Sequence, residues 1–189
     1  MMFKIFLVMT LMLTCFSATA LAAQNGIYEY TSKAFGYKII CPTKPLVKID
    51  TKEKRELLVF ASRNGQVTFA YQFTFDAFDN KSTPDFNKAG EKTLNEYLDN
   101  FRAENTYEYV GINQITKDTK GVMLINAKEI EVKGDDGEVE GVLTASEQRV
   151  FVFFRTKSGR CVAVELIVDD LDKDDVLNFR KSLATFQDK

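Results

Sequence analysis

The chain has 189 residues, 45% of them hydrophobic and 28% charged, the make-up of an ordinary globular domain. A formal charge of −2 leaves no basic surplus to neutralise phosphates, so nucleic acid is not an expected partner. Histidine is absent, and with it the commonest general base and transition-metal ligand.

Residues 1–22 read as an export signal. Lys4 precedes the apolar run Ile5 to Leu13, and Ala20-Leu21-Ala22 forms a small-residue site with cleavage expected before Ala23. The run is short for a membrane span of about 20 residues, although retention as an anchor stays open. A lipidated Cys15 is disfavoured, because Met12-Leu13-Thr14 lacks the small residue usual before such a cysteine. Residues 23–189 are then expected to be one soluble domain that is periplasmic, envelope-associated or extracellular. Cys41 and Cys161 remain, 120 positions apart. An even pair in an exported chain suggests a disulfide, which the chain-entropy model would credit with about 4–5 kcal/mol. Two separate buried thiols are the alternative.

In chain order, Ile27 to Thr31 alternates as a strand does, and Gly36 to Cys41 is a second strand that Pro42 stops. A short strand at Leu46 to Ile49 follows Pro45. Asn64-Gly65 between Glu56–Ser62 and Gln66–Phe75 is a hairpin signal that sets Phe60 opposite Phe69 and Leu58 opposite Tyr71. Thr83, Pro84 and Asp85 look like the start of a helix that runs to Arg102 with Gly90 inside it. Its apolar stripe is Phe86, Ala89, Leu94, Tyr97, Leu98 and Phe101.

Strands are expected at 106–115, at 122–132 with a break at Asn126 and Lys128, and at 138–146 after the turn at 134–137. Next comes the pair Arg149–Thr156 and Arg160–Val168, apolar on both faces and therefore central. A two-residue Ser158-Gly159 loop would put Phe153 opposite Val164 and Phe151 opposite Leu166. A last helix from Asp172 to Phe186 buries Val176, Phe179, Leu183 and Phe186. Hairpins interrupted by two amphipathic helices predict an α+β fold, an antiparallel sheet with a helix on each face as an α/β/α sandwich.

Phe35-Gly36-Tyr37 running into Cys41-Pro42, and Asn178-Phe179-Arg180-Lys181-Ser182-Leu183 ending at Phe186, resemble the PsbP-like group. That group includes the photosystem extrinsic subunit P, Ran-binding Mog-type proteins and exported bacterial proteins. The resemblance spans about residues 27–187 and departs at Thr43-Lys44-Pro45, where an aromatic residue often stands. It implies the sandwich fold and a non-enzymatic binding or accessory role, and it carries over no functional residue.

No residue constellation specifies a reaction. The acidic run Asp169 to Asp175 lacks the glycine of a calcium loop, and Lys181 stands where a closing glutamate would be; as a helix start it needs no ion. Neither cysteine has a histidine to activate it. Glu129 with Glu131, and Glu138 with Glu140, share strand faces, and with Glu165 they supply a weak hydrolase reading. Sixteen phenylalanines predict a deep core, or a pocket for a small apolar ligand lined by Phe69, Tyr71 and Phe73. No cofactor or metal is expected. The function expected is that of an exported, non-enzymatic binding or accessory protein of the cell envelope.

Overall fold

A computed structural model describes residues 27–61, 67–78, 81–103, 107–126, 129–133, 137–144, 148–168 and 171–188. The elements are β1 (Tyr28–Ser32), β2 (Tyr37–Cys41), β3 (Leu46–Asp50), β4 (Arg55–Ala61), β5 (Val67–Phe75), α1 (Glu91–Arg102), β6 (Tyr107–Thr116), β7 (Thr119–Asn126), β8 (Glu129–Lys133), β9 (Val139–Thr144), β10 (Gln148–Arg155), β11 (Cys161–Val168), α2 (Lys173–Leu183) and β12 (Gln187–Asp188). Seven strands form one sheet in the order β3-β4-β5-β11-β10-β7-β6. A three-stranded sheet β1-β2-β12 and a two-stranded β8-β9 complete the set. Each pairing is antiparallel, both within the hairpins and between strands distant in the chain. The fold is α+β. Among the described residues no helix is long and apolar enough to cross a membrane.

The β10–β11 hairpin is central, between β7 and β5, but its register differs by one from that expected. The amide of Thr156 donates to the Arg160 carbonyl, and the amide of Gly159 donates to the Thr156 carbonyl. The loop is therefore Lys157-Ser158-Gly159, three residues long, and Gly159 takes φ +91°, where a side chain would be strained. Phe153 consequently faces Ala163, and Phe151 faces Glu165. The slip decides which side chains share a face. Val150, Val152, Phe154, Val162, Val164 and Leu166 now form one buried surface. In the β4–β5 hairpin, Leu58 does pair with Tyr71 and Phe60 with Phe69, with a bulge beyond Phe60; Asn64-Gly65 lies outside the described residues.

Each face of the large sheet has its own cover. On one, Leu94, Tyr97, Leu98 and Phe101 of α1 pack with Phe86 against Val122, Leu124, Phe151 and Phe153. On the other, Phe179 and Leu183 of α2 share a cluster with Tyr37, Ile39 and Cys41 of the small sheet and with Tyr71, Phe73 and Phe75 of β5. The rings interlock there: Tyr37 lies 4.9 Å from Phe73, 5.2 Å from Phe186 and 5.5 Å from Phe75, centroid to centroid. Full burial of each such side chain stabilises by about 1.5–3 kcal/mol before entropy is subtracted.

The first helix begins later than its sequence suggests. Asp85 closes a turn of its own by accepting the Asn87 amide on its carboxylate and the Ala89 amide on its carbonyl, 2.8 Å away. The helical ladder starts when the Leu94 amide donates to Gly90, the residue at the N-cap. Gly90 is thus a boundary, not an interior weakness. Asp172 caps α2 in a reciprocal box with Asp175, which accounts for the end of the acidic run as helix-start chemistry. β12 was not visible in the sequence; it pairs Gln187 with Lys38 and Asp188 with Tyr37.

Candidate functional site

Three segments remote in sequence meet at one end of the large sheet around a cleft of about 580 Å³. They are the β6–β7 turn with its flanks (116–119), the β10–β11 loop (156–158) and the stretch after α2 (184–188); the rings of Phe154 and Phe186 form its apolar floor. Those two rings meet edge to face at 5.3 Å.

The polar rim is held from within. The Lys157 ammonium lies 2.6 Å from Asp118 and joins two turn tips; that hydrogen bond holds the Asp118 carboxyl below its ordinary range. Asp188 accepts from Arg160 and from the Ser158 hydroxyl. Arg160 also donates to the Phe35 carbonyl and sits over the Phe75 ring, 4.5 Å from its centroid. Thr185 donates to the Ser182 carbonyl and accepts the Ile40 amide. Such a rim is a pre-ordered polar surface. Its carboxylates are engaged rather than poised for proton transfer.

Other ionisable groups are buried elsewhere. Glu165 of β11 accepts from Arg149 at 2.7 Å and from Gln72 at 3.1 Å, on the face opposite the aromatic cluster. Glu56 of β4 is fully buried and accepts from the Tyr30 hydroxyl at 2.5 Å. Burial first, and then this glutamate, push the Tyr30 and Tyr37 hydroxyls above their ordinary pKa.

The expected site residues do not converge on the cleft. Tyr71 and Phe73 are closed into the core, and Phe69 packs against it; their rings contact Phe60, Phe179, Tyr37 and Phe186 at 4.7–6.1 Å. None of the three lines the cleft. The Cys41–Cys161 bond is not formed; both are buried thiols. Alternation along β11 explains why. Cys161 shares a face with Ala163 and Glu165, whereas Cys41 belongs to the aromatic cluster on the other side of the sheet. Burial pushes the Cys41 thiol from its ordinary 9.0 up to about 12, the reverse of what a nucleophile needs. Glu138 is exposed; the side chains of Glu129, Glu131 and Glu140 lie outside the described residues. Glu165 has the partners its sequence context did not name. The cleft itself is made from turn residues with no shared motif, so no sequence signal announced it.

No family model matches the chain, and no curated protein matches it. Among solved structures the chain is similar to cyanobacterial PsbP (CyanoP) from Synechocystis sp. PCC 6803, with 10% identity, a TM-score of 0.48, and coverage of 92% of this chain and 97% of that one. The sequence motifs resemble the same group.

Proposed function

We propose that this chain is an exported, non-enzymatic binding or accessory protein of the cell envelope, with residues 1–22 removed and 23–189 acting as one domain. The observation that carries the reading is the cleft at the sheet end, where an aromatic floor is ringed by polar groups already fixed by one another. A rim of that kind selects a ligand without reorganising, which lowers the entropic cost of binding. The buried carboxyls of Glu56 and Glu165 are hydrogen-bonded away from it. The carrier reading gains nothing from Phe69, Tyr71 and Phe73, whose rings fill the space they were expected to enclose.

The test uses residues 23–189 with amide chemical shifts followed against a metabolite and glycan-fragment panel. Shifts are expected in 116–119, 156–158 and 184–188, with no turnover of ester, peptide or glycoside substrates. Hydrolysis that Glu165→Gln abolishes would overturn the reading. Intact mass of protein recovered from the envelope fraction should begin at Ala23.

A further inference from the structure

We propose that the cleft at the sheet end receives a small polyhydroxylated molecule bearing an oxyanion, a carboxylate or a phosphate, with the oxyanion at Lys117 and the hydroxyls on the β10–β11 loop. The proposal rests on the binding reading above and names the ligand class of that same site.

Charge selects the oxyanion. The three segments bring Lys117, Lys157 and Arg160 together with Asp118 and Asp188. Each carboxylate already has a cation of its own: Lys157 stands 2.6 Å from Asp118, and Arg160 donates to Asp188. Lys117 is the third cation. It is exposed, it lines the cleft, and the carboxylate its charge reaches, Asp118, is the one that Lys157 bonds. Among the described residues Lys117 makes no ion pair of its own. The described part of the cleft therefore has a surplus positive charge, in a chain whose formal charge is −2. A small recess continues along the same two segments between Ile115 of β6 and Leu183 of α2, and the exposed Arg180 lines it. A concave surface with cations to spare draws anions toward it.

Hydrogen-bond direction selects the rest of the ligand. A hydroxyl has one proton to give and two lone pairs. Ser158 gives its proton to Asp188, so the 2.9 Å bond between Thr156 and Ser158 is donated by Thr156. Thr156 has also accepted the Arg160 amide. Thr185 has given its proton to the Ser182 carbonyl and accepted the Ile40 amide. Each of these three oxygens is left with one lone pair and no proton. A plain anion or a hydrocarbon leaves those acceptors unused. A sugar acid or a sugar phosphate meets both demands, because its hydroxyls donate where the rim accepts and its oxyanion accepts where Lys117 donates.

The test uses residues 23–189 and four probes: glucuronate, glucose 6-phosphate, glucose and cyclohexanecarboxylate. Amide chemical shifts both locate and titrate the binding. One or both charged sugars should shift 116–119, 156–158 and 184–188, and should bind about tenfold tighter than glucose or cyclohexanecarboxylate. The tighter of the two identifies the oxyanion. Lys117→Gln, with an unchanged melting temperature, should bring the charged sugars down to the level of glucose. Three results overturn the proposal: no cleft shifts with either charged sugar at millimolar concentration, equal binding of glucose or cyclohexanecarboxylate, or full affinity in Lys117→Gln. If other metabolites still shift the cleft segments, the binding reading stands without this ligand class; if nothing shifts them, both fall.

Discussion

A buried carboxyl group has to be satisfied by its neighbours, and Glu56 does so at one oxygen only: Oε1 accepts from the Tyr30 hydroxyl, while Oε2 has no hydrogen-bond partner among the described residues. Removing the hydroxyl at Tyr30 leaves a buried acceptor short of a partner, which costs about 1–3 kcal/mol. Urea unfolding of Tyr30→Phe should show that loss, and adding Glu56→Leu should recover part of it, because the unsatisfied group is gone. Equal stability of Tyr30→Phe and wild type would mean that the bond contributes nothing. Cys41 gives a second reading at this scale. Its thiol has a raised pKa in the folded state, so its stabilising contribution is complete below its ordinary 9.0 and is lost as pH rises toward about 12. Cys41→Ala should flatten the part of the alkaline stability limb that begins near pH 9. Native protein should resist iodoacetamide at Cys41, and after denaturation without reductant both Cys41 and Cys161 should alkylate. A mature chain that takes up no label when unfolded would contain the disulfide after all.

At the scale of elements, capping chemistry explains both what the sequence discloses and what it conceals. Asp172 and Asp175 form a local signal that reads correctly because both partners lie within one turn. Thr83-Pro84-Asp85 is equally good helix-start chemistry, yet Asp85 spends its acceptors on Asn87 and Ala89, and the helix waits for Gly90. Gly90 is an N-cap without a side chain, at φ −70° and ψ 159°, and a Cβ there would meet nothing within 4 Å. Gly90→Asp should therefore stabilise by about 0.5–1 kcal/mol, through a cap bond and a less flexible unfolded chain. A lower melting temperature for that variant would contradict this account. The β10–β11 register differs from the expected one for another reason. Both faces of that hairpin are apolar, so hydrophobic pattern cannot choose between neighbouring registers, and loop length decides. In β4–β5 one face is small and polar, and there the pattern and the pairing agree.

Across the whole molecule, strands and layers were legible from periodicity because burial on a sheet imposes it on every strand. The cleft and β12 were not, since each depends on segments brought together only by the finished fold. Gln187-Asp188 is too short to carry any pattern, yet Asp188 holds Arg160 beneath the Phe35–Phe75 stack. Asp188→Ala leaves a largely buried guanidinium without its carboxylate and should cost about 2–3 kcal/mol, below the full penalty because Arg160 keeps some contact with solvent. Denaturant midpoints measure this, and a shift too small to resolve would show that the ion pair is replaced by water.

β12 also bears on the order in which the protein is made. Its register joins Gln187 to Lys38, so the small sheet beside the aromatic cluster lacks its third strand until the last described residues have been synthesised. A contact of such long range is slow to form and comes late. During synthesis, β2 and the rings of Tyr37, Phe73 and Phe75 therefore await Phe186 and the strand that follows it. The segment that follows α2 thus works as a latch on the small sheet.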